Sequence, residues 1–241
     1  MAANRGVTGG RETAEGSAPN RQPAITGAME DFLKAVYQLG LEGGGGTQQI
    51  AERLGVSGPS VTNMAKRLHD LGLVEHAPYH GIALTDRGRA VALETIRHHR
   101  LLELYLTESL GFGWDEVHAE AERLEHHLSR EMVARIDRAL GYPTHDPHGD
   151  PIPRADGSVE TVPPLRLSDL AAGERAMVAR VSDRDVARLR FLGELGLRPG
   201  AEVAVLERYP FDGPLRVSVE GAEHLIGPGV AASVHVAPPQ E

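Results

Sequence analysis

The chain of 241 residues is long enough for one large domain or for two or three small ones. With 41% hydrophobic residues and a net charge of −9, it has the composition of an ordinary globular protein and lacks the overall basic charge typical of nucleic-acid binding. Cysteine is absent, which excludes disulfides, thiolate metal ligands and a thiol nucleophile, so any metal must be held by carboxylates and by some of the 12 histidines.

The N-terminal segment, residues 1–26, is rich in Gly, Ala, Ser, Thr and Arg and shows no hydrophobic periodicity. It also lacks the apolar core of a signal peptide, and the apolar runs elsewhere fall far short of the ~20 residues of a membrane span. We therefore expect a disordered tail over residues 1–26 and a cytoplasmic protein.

Residues 27–90 show the element order of a winged helix-turn-helix domain. The predicted elements are a helix from Ala28 to the glycine run Gly43–Gly46, a helix over Gln48–Leu54, a helix from Gly58 to Gly72, and a hairpin of strands Leu73–Ala77 and Gly81–Leu84. Pro59 suits the first turn of the third helix, where its missing N–H costs nothing.

The third helix is the expected DNA-reading element, because its apolar residues fall on one face and its short polar and basic residues on the other. The residues expected to contact DNA are Ser57, Pro59, Ser60, Thr62, Asn63, Lys66 and Arg67. A plain helical hairpin with a solvated face has the same spacing, and the strand hairpin that follows favours the winged domain.

The rest of the chain divides into a helical region, a linker and a β-rich region. Helices are predicted from Thr85-Asp86 to about Ser109, over Trp114–His127 and over Arg130–Leu140, which makes residues 91–142 a helical domain. Residues 143–163 are rich in proline and are predicted to be a linker. Residues 164–238 are predicted to form a small bent barrel, with strands Ala176–Val181, Glu202–Arg208, Leu215–Val219 and Ser233–Val236 and a helix over Asp185–Leu195.

Four metal-ligand residue types share one stripe of the helix after Trp114, namely His118, Glu122, Glu125 and His126. On the preceding helix, His99 and Glu103 are one turn apart and lie on one face. A solvated charged face is the alternative to a metal site. A metal-dependent enzyme or metal store fused to a small barrel is an alternative of a different class, although neither His-Glu-x-x-His nor Glu-x-x-His occurs.

Together these segments resemble the diphtheria-toxin-repressor family of metal-dependent regulators, over nearly all of residues 28–238. The segments that carry the resemblance are Met29–Leu33, Ser57–Val61, His99–Glu103, Glu122–Ser129 and Asp146–Pro153, while Leu195–Gly200 resembles the SH3-like, FeoA-type domain of three-domain members. The resemblance implies a mainly α fold with a small β domain: a winged helix-turn-helix, a helical metal-binding and dimerisation domain, and an SH3-like barrel.

The resemblance also implies a function: a homodimeric repressor of metal-homeostasis genes that binds palindromic operator DNA, and neither an enzyme, a membrane protein nor a binder of a small-molecule substrate. A primary metal site of Asp31, Glu122, Glu125 and His126 is implied. A second site would use His99, Glu103 and His118, completed from the C-terminal domain by Asp183 or Asp185.

The predicted metal is Mn²⁺. Iron-responsive members of the family place Met and Cys in the primary site where this chain has Asp31 and Glu122, as manganese-responsive members do. Hard carboxylate oxygens suit Mn²⁺. The sequence departs from the two-domain manganese regulators at Lys34, where they have a further Glu. Fe²⁺ is the alternative activator, and Co²⁺, Zn²⁺ or Cd²⁺ are expected to bind in vitro.

Overall fold

The N-terminal unit is a three-helix domain with a two-stranded wing. The computed structural model describes residues 24–77 and 81–239, so most of the predicted N-terminal tail and the tip of the predicted hairpin lie outside the described residues. The elements are α1 (Gly27–Leu41), α2 (Thr47–Leu54), α3 (Gly58–Asp70), β1 (Val74–Ala77) and β2 (Gly81–Leu84), the two strands being antiparallel. Phe32, Ile50, Val61 and Leu68 pack in one core, which confirms the winged helix-turn-helix.

A long helix joins this unit to a helical domain. The elements are α4 (Asp86–Leu110), α5 (Val117–Leu124), a 3₁₀ turn over Glu125–His127, and α6 (Arg130–Ala139). Thr85 caps α4 as expected, accepting a hydrogen bond from the backbone N–H of Gly88. Gly88 is required because a Cβ there would lie 1.9 Å from the carbonyl oxygen of Leu73. The first half of α4 therefore packs tightly on the DNA-binding unit, and its second half carries the helical domain.

The segment predicted as a linker is folded over its first half. His145 and Pro151 form a β-bridge, and one carboxylate oxygen of Asp146 accepts hydrogen bonds from the backbone N–H groups of His148 and Asp150. Arg100 of α4 donates to Asp150 Oδ1 at 3.0 Å, and Ile152 is buried. This local order comes from side-chain to backbone hydrogen bonds, which leave no hydrophobic periodicity in the sequence. Residues 155–164 form the irregular connection to the last domain.

The C-terminal domain is a five-stranded antiparallel sheet in the order β6-β5-β4-β3-β7. Its elements are β3 (Arg175–Val181), α7 (Val186–Glu194), β4 (Glu202–Arg208), β5 (Leu215–Val219), β6 (Ala222–Ile226), α8 (Pro228–Ala231) and β7 (Val234–Ala237). Register shifts in the β3–β7 and β4–β5 pairs bend the sheet. The sequence prediction lacked β6, an edge strand in which only Ile226 is buried. None of the described helices is long and apolar enough to cross a bilayer.

Candidate metal centre and DNA-contacting helix

The outer face of α3 is open. Ser57 caps the helix by accepting from the N–H of Ser60, and the half-buried Thr62 returns its hydroxyl to the carbonyl of Gly58. The predicted DNA-contacting residues that are exposed are Ser57, Pro59, Ser60, Asn63, Lys66 and Arg67. Their contact with DNA stays a prediction, but the fold leaves these side chains accessible on one helix.

One cluster of metal-ligand residues joins the DNA-binding unit to the helical domain. Asp31 of α1 meets Glu125 and His126 of the 3₁₀ turn that follows α5, and we call these three residues the joint cluster. His126 Nε2 lies 2.9 Å from Asp31 Oδ1 and 3.5 Å from Glu125 Oε1. The three residues place one ligand atom each close enough to share an ion.

Lys34 lies inside this region. Its Nζ is 2.7 Å from Glu122 Oε1 and 2.7 Å from Glu125 Oε1, and its side chain is only 10% exposed. Burial lowers the pKa of Lys34, but the two carboxylates outweigh burial and raise it. The Lys34 ammonium therefore already forms salt bridges with two of the four predicted primary ligands, Glu122 and Glu125.

The joint cluster can bind a metal ion because two of its acceptor atoms, His126 Nε2 and Asp31 Oδ1, face each other. His126 Nδ1 is hydrogen-bonded to the Glu30 carboxylate, which can only accept, so Nδ1 carries the hydrogen. In the neutral ring, Nε2 then directs a lone pair at Asp31 Oδ1, which is buried and receives no hydrogen bond from the described residues. Either a proton or a metal cation between Nε2 and Oδ1 satisfies both acceptors. The proton and the cation therefore compete for this one position. Burial lowers the pKa of His126, but the Glu30 and Asp31 carboxylates outweigh burial, so that the pKa is raised.

A second group lies deeper, between α4 and α5. Glu103 Oε1 is 2.9 Å from His99 Nε2 and 3.0 Å from His118 Nδ1. We call His99, Glu103 and His118 the inner cluster. Burial lowers the pKa of His99, but the Glu103 carboxylate outweighs it and raises that pKa to about 10. For Glu103, burial raises the pKa and the two histidines outweigh burial to lower it. The two clusters touch, because His99 Nδ1 is 2.6 Å from Glu125 Oε2.

Glu122 lies between the clusters. Its Oε1 is 3.7 Å from His99 Nδ1 and 3.8 Å from His118 Nε2, and these three residues form a possible ion site of their own. The structure thus brings together three of the four predicted primary residues and groups Glu122 with the inner cluster. Glu122 contacts α1 through its salt bridge with Lys34.

Of the two residues predicted to complete the second site, Asp185 belongs to none of the possible ion sites among the described residues. One carboxylate oxygen of Asp185 caps α7 by accepting from the N–H groups of Ala187 and Arg188. Asp183 instead lies beside the inner cluster, with Oδ2 3.8 Å from His118 Nδ1, and forms a possible ion site with Glu103 and His118. The C-terminal domain therefore reaches the inner cluster through Asp183.

Sequence reasoning missed three further residues near these clusters, Glu30, Asp146 and His148. Glu30 is the hydrogen-bond partner of His126, and its position one residue before Asp31 was the available signal. Asp146 and His148 are buried beside Glu103, and the resemblance of residues 146–153 to the family was the signal there. Burial raises the pKa of Asp146 well above its usual range, and the carboxylates of Asp150 and Glu103 raise it further.

Comparison with known families accounts for nearly the whole described chain. The family model for the N-terminal DNA-binding domain of iron-dependent repressors matches residues 24–82. The model for the metal-binding and dimerisation domain of the same repressors matches residues 85–154, and that for the FeoA domain matches residues 165–238. The second match includes the folded segment after α6, in agreement with its packing on α4.

Individual proteins match over most of their length. The chain is 35% identical over 220 residues to the iron-dependent repressor IdeR of Mycobacterium tuberculosis, covering 85% of this chain and 94% of that one. It is 33% identical over 210 residues to the diphtheria toxin repressor of Corynebacterium diphtheriae, covering 83% and 92%. A solved manganese-dependent transcriptional repressor in complex with manganese is 39% identical, with a TM-score of 0.79 and coverage of 88% and 100%.

Proposed function

Because the chain belongs to the iron-dependent (diphtheria toxin) repressor family of metal-dependent, DNA-binding transcriptional repressors, we propose that Mn²⁺ is its activating metal. Its targets would be genes of metal homeostasis. Members of this family are transcriptional repressors, so the alternative of a metal-dependent enzyme or store is set aside.

The donor set of the four predicted primary ligands, the joint cluster together with Glu122, carries the proposal for manganese. Asp31, Glu122, Glu125 and His126 offer carboxylate oxygens and one imidazole, with neither thiolate nor thioether among them. Hard oxygen donors suit Mn²⁺, whereas the softer sulfur donors favour other ions. Met29, two residues before Asp31, is buried in the core of the DNA-binding unit and is not a ligand candidate.

The proposed control of DNA binding follows from where the ligands lie. Asp31 belongs to α1, whereas Glu125 and His126 belong to the helical domain that carries α4 and α5. When bound, the metal would supply a positive centre shared by both sides of this joint. Asp31 would then hold α1, and with it α3, in one orientation relative to the helical domain.

The proposed assembly is a homodimer on palindromic operator DNA, acting in the cytoplasm. The domain spanning residues 85–154 is of the metal-binding and dimerisation type. Two copies related by a two-fold axis would present two α3 helices to successive major grooves, about 34–36 Å apart. A metal-dependent orientation of α3 would decide whether both helices fit at once.

The experiment is a DNA-binding titration with a site selected from random DNA in the presence of Mn²⁺. Fluorescence anisotropy would be measured anaerobically against Mn²⁺, Fe²⁺ and Zn²⁺, and in excess chelator. We expect Mn²⁺ to give full binding and chelator to abolish it. Full binding in chelator would overturn metal dependence. Since the relative IdeR of Mycobacterium tuberculosis is named an iron-dependent repressor, activation by Fe²⁺ and not by Mn²⁺ would assign iron instead.

A further inference from the structure

The imidazole of His126 is held by one face of α1. Gly27, Glu30 and Asp31 are spaced three and four residues apart along the helix, so they are neighbours on that face. A Cβ added at Gly27 would lie 3.0 Å from both Cγ and Cδ2 of His126, so the ring packs closely against the helix at this glycine. Glu30 Oε2 is 2.5 Å from Nδ1, and Asp31 Oδ1 is 2.9 Å from Nε2. The first turns of α1 therefore contact the ring and both of its nitrogens.

Glu30 differs from the other two carboxylates around His126. Asp31 and Glu125 contact Nε2 and form a possible ion site with His126. Glu30 contacts Nδ1 and belongs to none of the possible ion sites among residues 24–77 and 81–239. Glu30 is therefore a partner of the imidazole without being a candidate metal ligand.

The hydrogen bond of Glu30 decides which nitrogen of the neutral ring can bind a metal. A carboxylate can only accept, so the hydrogen stays on Nδ1 and the lone pair of Nε2 is directed toward Asp31 Oδ1. Histidines that bind metals commonly donate their second N–H to a carboxylate or a carbonyl. Loss of such a partner weakens metal binding by about 10–100-fold.

The surroundings of His126 also select one orientation of its ring. The side chains of His126 and Glu30 are only 17% and 28% exposed, less than in an ordinary surface ion pair. A half-turn of the ring about the Cβ–Cγ bond would exchange each nitrogen with a carbon atom. Both Glu30 and Asp31 would then face carbon, so the two carboxylates together favour the observed orientation.

We propose that Glu30 is a positioning residue for metal binding at the joint cluster. Together with the close packing at Gly27, it fixes the tautomer and the orientation of His126, so that Nε2 faces Asp31 before an ion binds. This role rests on the proposed function, because the ion concerned is Mn²⁺. Since Glu30 and Asp31 are consecutive residues of α1, the helix segment that supplies one ligand also aims the ligand from the helical domain.

The first test compares Glu30→Ala with Glu30→Gln. Both variants lose the negative charge, but Gln keeps an oxygen that can accept from Nδ1. Free Mn²⁺ followed by electron paramagnetic resonance gives the binding curve of the full chain, and His126→Ala identifies the ion that belongs to the joint cluster. We expect this ion to bind about 30-fold more weakly to Glu30→Ala and about threefold more weakly to Glu30→Gln. Glu131→Gln removes an exposed carboxylate of α6 and should bind Mn²⁺ as wild type does.

The outcomes separate this role from the proposed function. Equal weakening in Glu30→Ala and Glu30→Gln would show that Glu30 acts through its charge alone, and would overturn the positioning role. Wild-type affinity in both variants would also overturn it and would leave the proposed function intact. If none of the ions bound by the wild-type chain depended on His126, the proposed function would fail, and the role of Glu30 with it.

A second test changes the packing of the ring and leaves every charge in place. The methyl group of Gly27→Ala would press on the ring of His126, so the joint-cluster ion should bind about tenfold more weakly. Alanine is the better helix former, and thermal unfolding without metal checks that the variant is folded. Gly40→Ala is the matched control, because Gly40 belongs to the same helix and a Cβ there would meet open space. Equal Mn²⁺ affinity in Gly27→Ala and Gly40→Ala would show that the packing at Gly27 does not position His126.

Discussion

The joint and inner clusters contain similar residues but balance their charge differently. In the joint cluster, a lysine of α1 pairs with Glu125 and with the neighbouring Glu122. In the inner cluster, Glu103 is paired with two histidines of the helical domain, and its side chain is completely buried. An ion that entered the inner cluster would displace protons, whereas an ion that entered the joint cluster would also have to compete with Lys34.

This difference indicates which cluster can signal to DNA. Asp31 and Lys34 both belong to α1, so any exchange of ligands in the joint cluster acts directly on the DNA-binding unit. The inner cluster links α4, α5 and, through Asp183, the segment after β3, and it contains no residue of the DNA-binding unit. We expect the joint cluster to set the orientation of the DNA-binding unit, and the inner cluster to stabilise the helical domain next to it.

The largest expected effect comes from removing the imidazole of the joint cluster. His126→Ala should raise the Mn²⁺ concentration for half-maximal DNA binding by about 100-fold or more, because outer contacts alone are worth 10–100-fold in metal affinity. The measurement is a DNA-binding titration against Mn²⁺. His127→Ala, an exposed neighbour on the same turn, is the control and should behave as wild type. Normal activation of His126→Ala would remove the joint cluster from the mechanism.

Metal choice is tested by softening the predicted primary site, which is the joint cluster together with Glu122. Asp31→Met combined with Glu122→Cys should weaken Mn²⁺ activation by about 50-fold while keeping or improving the response to Fe²⁺ or Co²⁺, because two hard carboxylates are replaced by sulfur. Half-activating concentrations for each ion, measured anaerobically, decide the question. If the double variant kept wild-type Mn²⁺ activation, the two positions would not determine selectivity.

A smaller effect is expected in the inner cluster. His118→Ala should raise the half-activating Mn²⁺ concentration by about tenfold, or ~1.4 kcal/mol, because the tie between α1 and the 3₁₀ turn remains intact. The same DNA-binding titration measures this. A loss as large as that of His126→Ala would show that the two clusters act as one unit, which their contact through His99 and Glu125 makes possible.

Much of this arrangement was predictable from local signals. The cap at Thr85 and the glycine at Gly111 mark the two ends of α4. The spacing of His118, Glu122 and His126 placed these potential ligands on one helix face. The winged domain and a small β domain followed from element order, the FeoA type of the latter followed from the family resemblance, and both were confirmed. Helical periodicity was the signal for the helices that bury one face in a core.

The remaining features depend on contacts between distant segments. Helical periodicity did not predict that α5 ends at Leu124. It also did not predict that Lys34 pairs with Glu122 and Glu125, which are 88 and 91 residues away. Spacing did not reveal that Asp185 caps a helix whereas Asp183 lies beside the inner cluster. The order of residues 144–152 comes from hydrogen bonds to Asp146, so proline content alone suggested a linker.

The smallest expected effect tests whether Lys34 competes with the metal. Lys34→Met keeps the apolar length of the side chain and removes the ammonium that lies 2.7 Å from both Glu122 and Glu125. The freed carboxylates repel each other and offer more charge to an ion, so Mn²⁺ should bind about fivefold more tightly, or ~1 kcal/mol. The metal-free variant should lose stability, about 3 kcal/mol, because Glu125 is left buried without this partner.

Two measurements separate these effects. Free Mn²⁺ followed by electron paramagnetic resonance gives the binding constant without DNA, and thermal unfolding with and without Mn²⁺ gives the stability. Lys34→Arg, which keeps the positive charge, is the matched control and should bind Mn²⁺ no more tightly than wild type. Weaker Mn²⁺ binding by Lys34→Met would mean that Lys34 helps to organise the ligands, and that the charge difference drawn between the two clusters is wrong.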